Sequence, residues 1–213
     1  PLRVKLGFGI CDLGGNLFFT AIGLWLLIYF TDTVGIPAGL AGIIVAIGKV
    51  WDAVTDPMAG FLSDRTKSRW GRRRPWILFG SVPLFIAMVV MFTKPAFTDQ
   101  TALFLWGVLA FCFLNTAYTA VNIPYNSLTP ELTQDYHERT SLNGYRFIFA
   151  VIGTLLGAGA TLPIVEMFQT KAAGYSAVGT VYGAAMMITA LITFLSVREP
   201  ETEPVIATRG FFK

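Results

Sequence analysis

The stretch AGLAGIIVAIGKVWDAVTDPMAGFL, residues 38–62, is long and apolar enough to cross a bilayer as a helix, yet it carries Lys49, Asp52 and Asp56 in its middle. About 20 residues rising ~1.5 Å each span the hydrocarbon core. Intervals of three and four residues put the three ionisable side chains on one helical face, with the two carboxylates on successive turns. A charge at the bilayer centre costs at least ~2.5 to 3.5 kcal/mol, and like charges side by side cost more. Lys49 can neutralise one carboxylate; the other needs a proton, an arginine from another helix or a bound cation. Two carboxylates with a neighbouring hydroxyl, from Thr55 or from the fourth apolar segment, suit sodium or lithium, and the same pair holding one proton is a protonation site. The structural alternative is a pair of salt bridges, Lys49 to Asp52 and Asp56 to Arg146, that only join helices.

Further apolar windows lie at about 6–30, 75–93, 101–126, 141–165 and 176–197, separated by TDTVGIPAG, SDRTKSRWGRRRP, TKPAFTDQT, TPELTQDYHER and QTKAAGYS. Glycine, proline and polar clusters break helices, so six transmembrane helices are predicted, and the prolines of REPETEP end the last one. The expected fold is an all-α integral membrane bundle over residues 1–198, with 199–213 as a cytoplasmic tail or the start of a linker. Composition agrees, because 54% of the 213 residues are hydrophobic and 14% charged, against roughly 25% charged in a soluble domain. A net charge of +3, small and localised, excludes nucleic acid as a partner. Cys11 and Cys112 lie apart in apolar segments, without CxxC spacing, and read as small hydrophobes. Twelve of the sixteen basic residues fall in the N-terminal stub, the loops after the second and fourth segments, and the tail. By the positive-inside rule both termini are cytoplasmic, in an inner (cytoplasmic) membrane.

Lys49 and Arg146 are the basic residues left within the membrane; Asp12, Asp52 and Asp56 oppose them. Asp12 is followed by Gly14 and Gly15, which let a helix or ligand approach closely. In the fourth segment Thr119, Asn122 and Asn126 share a face, and Pro124 interrupts the backbone ladder between them. Hydroxyl and amide groups inside a membrane bundle suit a hydroxyl-rich ligand, or else interhelical hydrogen bonds. Arg146, beside Tyr145, offers five donors to a carboxylate or to ligand hydroxyls. No histidine cluster, paired serine and base, or metal-ligand spacing appears, so an enzyme is not expected.

Together GFGICDLGGN, IYFTDTVG, KVWDAVTDPMAGFLSDRTKSRWGRRRPWILFG, NIPYNSLTPEL and GYRFIFAVIGTLLG resemble the glycoside-pentoside-hexuronide:cation symporters, the melibiose permease-like branch of the major facilitator superfamily. The resemblance runs from about residue 7 to residue 160 and implies half of a major facilitator fold, a 3+3 inverted repeat. It implies that Asp52 and Asp56 bind the coupling cation (sodium, lithium or proton) with Thr119 joining them, to which the residue chemistry above adds Thr55 as a neighbouring hydroxyl and Lys49 as charge partner. Asp12 and Arg146 would hold the substrate, with Asn16, Asn122, Asn126 and Tyr145 as further candidates. Asn122 and Asn126 stand where the melibiose permease has an aspartate and a stacking tryptophan, and Thr55 where it has an asparagine. The Asn122 and Asn126 departures argue against galactosides and leave another glycoside, a pentoside, a uronide or a non-sugar ligand open, while Thr55 bears on the choice of cation. The loop pattern GxxxDRxGRR, with Gly60, Asp64, Arg65, Gly71, Arg72 and Arg73, resembles the superfamily's cytoplasmic gate. Its alternative is a basic run that fixes topology and meets anionic lipid.

A facilitator has two six-helix halves with the substrate between them. The expected partners are therefore a small-molecule substrate, the lipid bilayer, and a second half supplied by the same chain or by a parallel homodimer. No cofactor beyond the coupling ion is implied. The expected activity is cation-coupled sugar symport by alternating access; a non-transporting scaffold or sensor with structural charges is the other function class.

Overall fold

Punctuation in the sequence sets the element boundaries. A computed structural model describes residues 2–199, and within them six helices are long and apolar enough to cross a membrane: α1 Leu2–Val34, α2 Ala38–Arg65, α3 Arg74–Phe92, α4 Gln100–Leu132, α5 Tyr136–Glu166 and α6 Lys171–Ser196. Each covers one of the expected apolar windows to within a residue. Most of the segment read as a tail or linker lies outside the described residues. Side-chain caps carry several helices past the apolar windows: Asp99, Asp135 and Thr170 accept hydrogen bonds from the backbone N–H groups of Ala102, Glu138 and Ala173, satisfying donors that the first helical turn leaves unpaired. Hence α5 begins in the polar run YHERT, ahead of residue 141. Prolines at 57, 83, 124, 130 and 163 sit within helices, each removing one ladder hydrogen bond. Helix α1 winds into π-helical turns at Ala21–Trp25 and Tyr29–Val34 and stops at Gly35, whose φ of 91° suits glycine.

The principal packing partners are α1 with α5 and α6, α4 with α2 and α3, and α3 with α6. Exchanging the first three helices for the last three maps this set of pairs onto itself, as a 3+3 repeat requires. Followed from neighbour to neighbour, the helices run α2, α4, α3, α6, α1, α5. Helices α2 and α5 thus end the arc, and they are the least buried spans: 17% and 22% of their apolar windows are enclosed, against 44–50% for the other four. The face between them shows α1 and α4 behind. Glycines bring α1 close to its neighbours. A side chain at Gly9 would meet the backbone of Tyr145 and Arg146 at 3.1–3.2 Å, and Gly153 lies directly on the backbone of Leu13.

Candidate functional site

Close contact at Gly9 places Arg146 of α5 beside Asp12 of α1. The guanidinium donates from Nε to Asp12 Oδ2 at 2.6 Å and from Nη2 to Oδ1 at 3.2 Å. Both side chains are 18% exposed. Helix α4 closes the cluster. Tyr125, itself buried, holds its hydroxyl 2.6 Å from Asp12 Oδ2, and Thr129 accepts from Arg146 Nη1 at 2.9 Å. The guanidinium also lies 4.8 Å from the Tyr125 ring centre and 5.6 Å from that of Phe8, within cation–π range. Arg146 therefore pairs with Asp12, not with Asp56 as the structural alternative required. The reason is tertiary: α1 packs on α5, while α2 and α5 stand at opposite ends of the arc.

Proton order along this cluster follows from Arg146 having donors only. Asn126 must turn its carbonyl oxygen to Nη2, 2.6 Å away, so its amide nitrogen faces Asn122 and donates to Oδ1 at 3.0 Å. The relay ends on the Asn122 amide, whose N–H groups have no partner among the described residues. A carboxylate at position 122 would present acceptors instead. Asn16 donates to the Asp12 carbonyl at 2.8 Å and its Oδ1 accepts a long hydrogen bond from Thr154 Oγ1 at 3.4 Å, which leaves one lone pair as an acceptor. Tyr145 makes no side-chain hydrogen bond among the described residues; its backbone forms part of the contact with Gly9. A small pocket of ≈ 20 Å³ is lined by Asp12, Gly15, Tyr118, Asn122 and Tyr125 among others.

The second cluster lies along the seam between α2 and α4. Asn115 donates to the Gly48 carbonyl at 3.3 Å, Trp51 Nε1 to Thr116 Oγ1 at 2.8 Å, and Thr119 Oγ1 to Asp56 Oδ1 at 2.7 Å. Lys49 Nζ donates to Asp52 Oδ2 at 3.2 Å. Thr55 turns its hydroxyl back to the Trp51 carbonyl at 3.1 Å, away from both carboxylates. Pro57 lacks the N–H that would satisfy the Ala53 carbonyl, one turn before Asp56. Asp56 has no cationic partner among the described residues. Groups of three or more His, Cys, Asp or Glu suited to a metal are likewise absent among them. An oxygen set of this kind, with a single uncompensated carboxylate, matches a hard monovalent cation or a proton.

The gate-pattern residues gather at the helix ends on the side of the termini. Gly71, with φ 100°, turns the chain so that the backbone N–H groups of Arg72, Arg73 and Arg74 all point at Glu199, at 2.6, 2.7 and 2.8 Å. Arg73 bridges Asp64 at 2.7 Å and Glu131 at 3.0 Å and also donates to the Ser127 carbonyl. Arg72 joins Glu131 at 2.9 Å. Arg65 lies over the Phe61 ring at 3.7 Å. A side chain at Gly60 would make only ordinary contact with Ile123. One short loop thus ties together the ends of α2, α3, α4 and α6. Tyr125, Thr129, Glu131 and Glu199 carried no role in the sequence reading. Tyr125 and Thr129 sit three and seven residues after Asn122, the helical spacing of one face, and that was the available signal. Nothing local marks Glu199 as the partner of a loop 125 residues earlier.

A family profile described as "MFS/sugar transport protein" matches residues 7–209. The chain belongs to this family. It is 46% identical over 157 residues to an uncharacterised symporter of Synechocystis, covering 71% of this chain and 29% of that protein. It is 32% identical over 203 residues to a putative glycoside/cation symporter of Escherichia coli, covering 94% and 44%. A putative sulfoquinovose importer of the same organism is 31% identical over 206 residues, covering 93% and 43%. The chain spans about a third to a half of the length of these curated relatives. Family membership and the six apolar helices make it part of a multi-pass membrane protein of the sugar-transport family.

Proposed function

We propose that the native protein is a cation-coupled symporter of a sugar, glycoside or uronide, working by alternating access in an inner membrane with both termini cytoplasmic. The observation that carries this reading is the division of the intramembrane charges. Asp12 and Arg146 satisfy each other, Lys49 answers Asp52, and Asp56 holds a threonine hydroxyl but no cation. An ionised carboxylate without compensation is costly in the bilayer, so Asp56 with Thr119 is the seat of the coupling ion, with Asp52 beside it. The Asp12–Arg146–Asn126–Asn122 relay supplies the substrate site, its donor end at Asn122 and an acceptor at Asn16. A second six-helix half covers the face between α2 and α5, from the same chain or a parallel second copy. The names borne by the relatives, glycoside/cation symporter and sulfoquinovose importer, support a sugar-type substrate.

The test is uptake of a labelled panel of neutral glycosides, pentosides and uronides into membrane vesicles under imposed sodium, lithium or proton gradients. Accumulation of at least one sugar that collapses with the ion gradient is the expected result. Equilibration without any ion dependence would remove the coupling, and no uptake across the panel would remove the sugar.

A further inference from the structure

The basic run between α2 and α3 divides into two parts. Arg72, Arg73 and Arg74 are spent inside the protein, on Glu131, Asp64, Glu199 and the Phe194 carbonyl. Arg65, Lys67 and Arg69 are exposed and make no ion pair or side-chain hydrogen bond among the described residues. The guanidinium groups of Arg65 and Arg69 lie instead over the rings of Phe61 and Trp70, at 3.7 and 4.6 Å. Three uncompensated cations thus stand close together on the first half of one short loop.

Beside them lies an apolar groove of ≈ 560 Å³, lined by Trp76, Phe79 and Gly80 of α3 and Ala120 of α4, with Thr66 and Ser68 at its mouth. The loop is fixed over this groove: Trp76 Nε1 donates to Thr66 Oγ1 at 2.8 Å, and the Trp70 ring centre is 6.1 Å from that of Phe79. Ala120 and Asn122 are two residues apart, about 200° round the helix, so the groove opens on the side of α4 opposite the substrate relay. Helix α3 also packs on α4 and α6, away from the open face between α2 and α5.

We infer that this loop and groove bind one anionic phospholipid of the surrounding bilayer, its phosphate held by Arg65, Lys67 and Arg69 and an acyl chain laid along Phe79, Gly80 and Ala120. Charge complementarity selects the headgroup, since arginine presents a planar fork of donors that matches phosphate oxygens. An apolar groove on the outer side of the bundle, directly below the cations, selects a lipid over a soluble anion. Such a lipid would be bound whatever the substrate or the coupling ion.

The experiment uses the full-length native protein in phosphatidylcholine nanodiscs containing a minor share of phosphatidylglycerol, with one of the two lipids carrying a photoactivatable diazirine in its acyl chain. Crosslinked peptides are identified by mass spectrometry. Wild type should be labelled on the α3 turn from Trp76 to Gly80 and at Ala120, and, lipid for lipid, phosphatidylglycerol should label at least about fivefold more than phosphatidylcholine, the preference that a single basic residue supplies. The triple variant Arg65→Gln, Lys67→Gln, Arg69→Gln should bring that ratio to about one, whereas Arg65→Lys, Arg69→Lys should keep it. Ala120→Phe fills the groove and should lower labelling there by either lipid. Equal labelling by the two lipids in wild type, an unchanged ratio in the glutamine variant, or undiminished labelling in Ala120→Phe would each overturn the inference. Loss of the preference in inorganic phosphate, but not in sodium chloride of equal ionic strength, would overturn it by showing a site for a free anion. Absence of labelling by both lipids would overturn it by showing that protein covers the groove.

Discussion

Two charged clusters lie within the membrane-spanning part of this molecule and solve the same electrostatic problem in opposite ways. The Asp12–Arg146 cluster is closed: each charge meets its opposite at 2.6 Å, and Tyr125, Thr129 and Asn126 occupy most of the remaining hydrogen-bonding positions. The Asp52–Asp56 cluster is open, with Asp56 answered only by a neutral hydroxyl. A closed cluster stabilises the helices it joins and changes little when an ion arrives. An open one is costly until something cationic fills it, and on the proposed reading it is the part that responds to an ion gradient. Both clusters border α4, where Thr119 and Asn122 sit three residues apart, and no side-chain hydrogen bond joins the two among the described residues.

Breaking the closed cluster has the largest expected effect. Arg146→Ala strands Asp12 in the bundle and should destabilise the protein by ~3 to 5 kcal/mol, seen as a large fall in thermal unfolding temperature in detergent, with loss of sugar binding. The double variant Asp12→Asn, Arg146→Gln should recover most of the stability and none of the binding. Equal stability of single and double variants would show that the two residues do not act as a pair.

The open cluster should respond with the opposite sign. Asp56→Asn removes an uncompensated charge, so without sodium the variant should be as stable as wild type or more stable, by up to ~2.5 kcal/mol, while cation-stimulated uptake is abolished. A clear loss of stability in ion-free buffer would mean that Asp56 has a cationic partner in the full protein. Thr119→Val tests the neutral hydroxyl alone. Losing one hydrogen bond to a charged group, about 1.5 kcal/mol, should weaken cation binding roughly tenfold, measured by sodium titration of uptake, and Thr119→Ser should restore it. Smallest is Tyr125→Phe, which deletes one donor to an Asp12 that keeps Arg146. A destabilisation of ~1 kcal/mol with unchanged cation affinity is expected, and a shift in sodium affinity would show the clusters to be less separate than the geometry indicates.

The contrast also separates what could be read early from what could not. Lys49, Asp52 and Asp56 are readable as a unit because helical periodicity alone places them on one face. The six spans are readable because apolar length and turn residues are local properties. Arg146 is different: from the sequence its partner could be Asp56 or Asp12, and both choices satisfy the same charge count. The resemblance assigned Asp12 and Arg146 to one ligand but said nothing of their direct pairing, nor of the Tyr125 hydroxyl between them. Thr55 has the right chemistry to join the carboxylates, yet its helix offers the Trp51 carbonyl one turn back, a common competitor for threonine in helix interiors.

By itself, then, the sequence determined the class of the protein, the number of spans, the Lys49–Asp52 pair and the polar faces of α1, α2, α4 and α5, because each follows from short-range spacing and from the cost of charge in a bilayer. The resemblance already set Thr119 beside the carboxylates, and the contact with Asp56 forms at 2.7 Å; only the tertiary structure decided that Arg146 belongs to Asp12 and that Glu131 and Glu199 receive the arginine loop. Those choices depend on which helices pack side by side. That is set by glycine contacts such as Gly9 on Arg146 and Gly153 on Leu13, whose energy comes from surfaces brought together by the whole bundle and has no signature in any one segment.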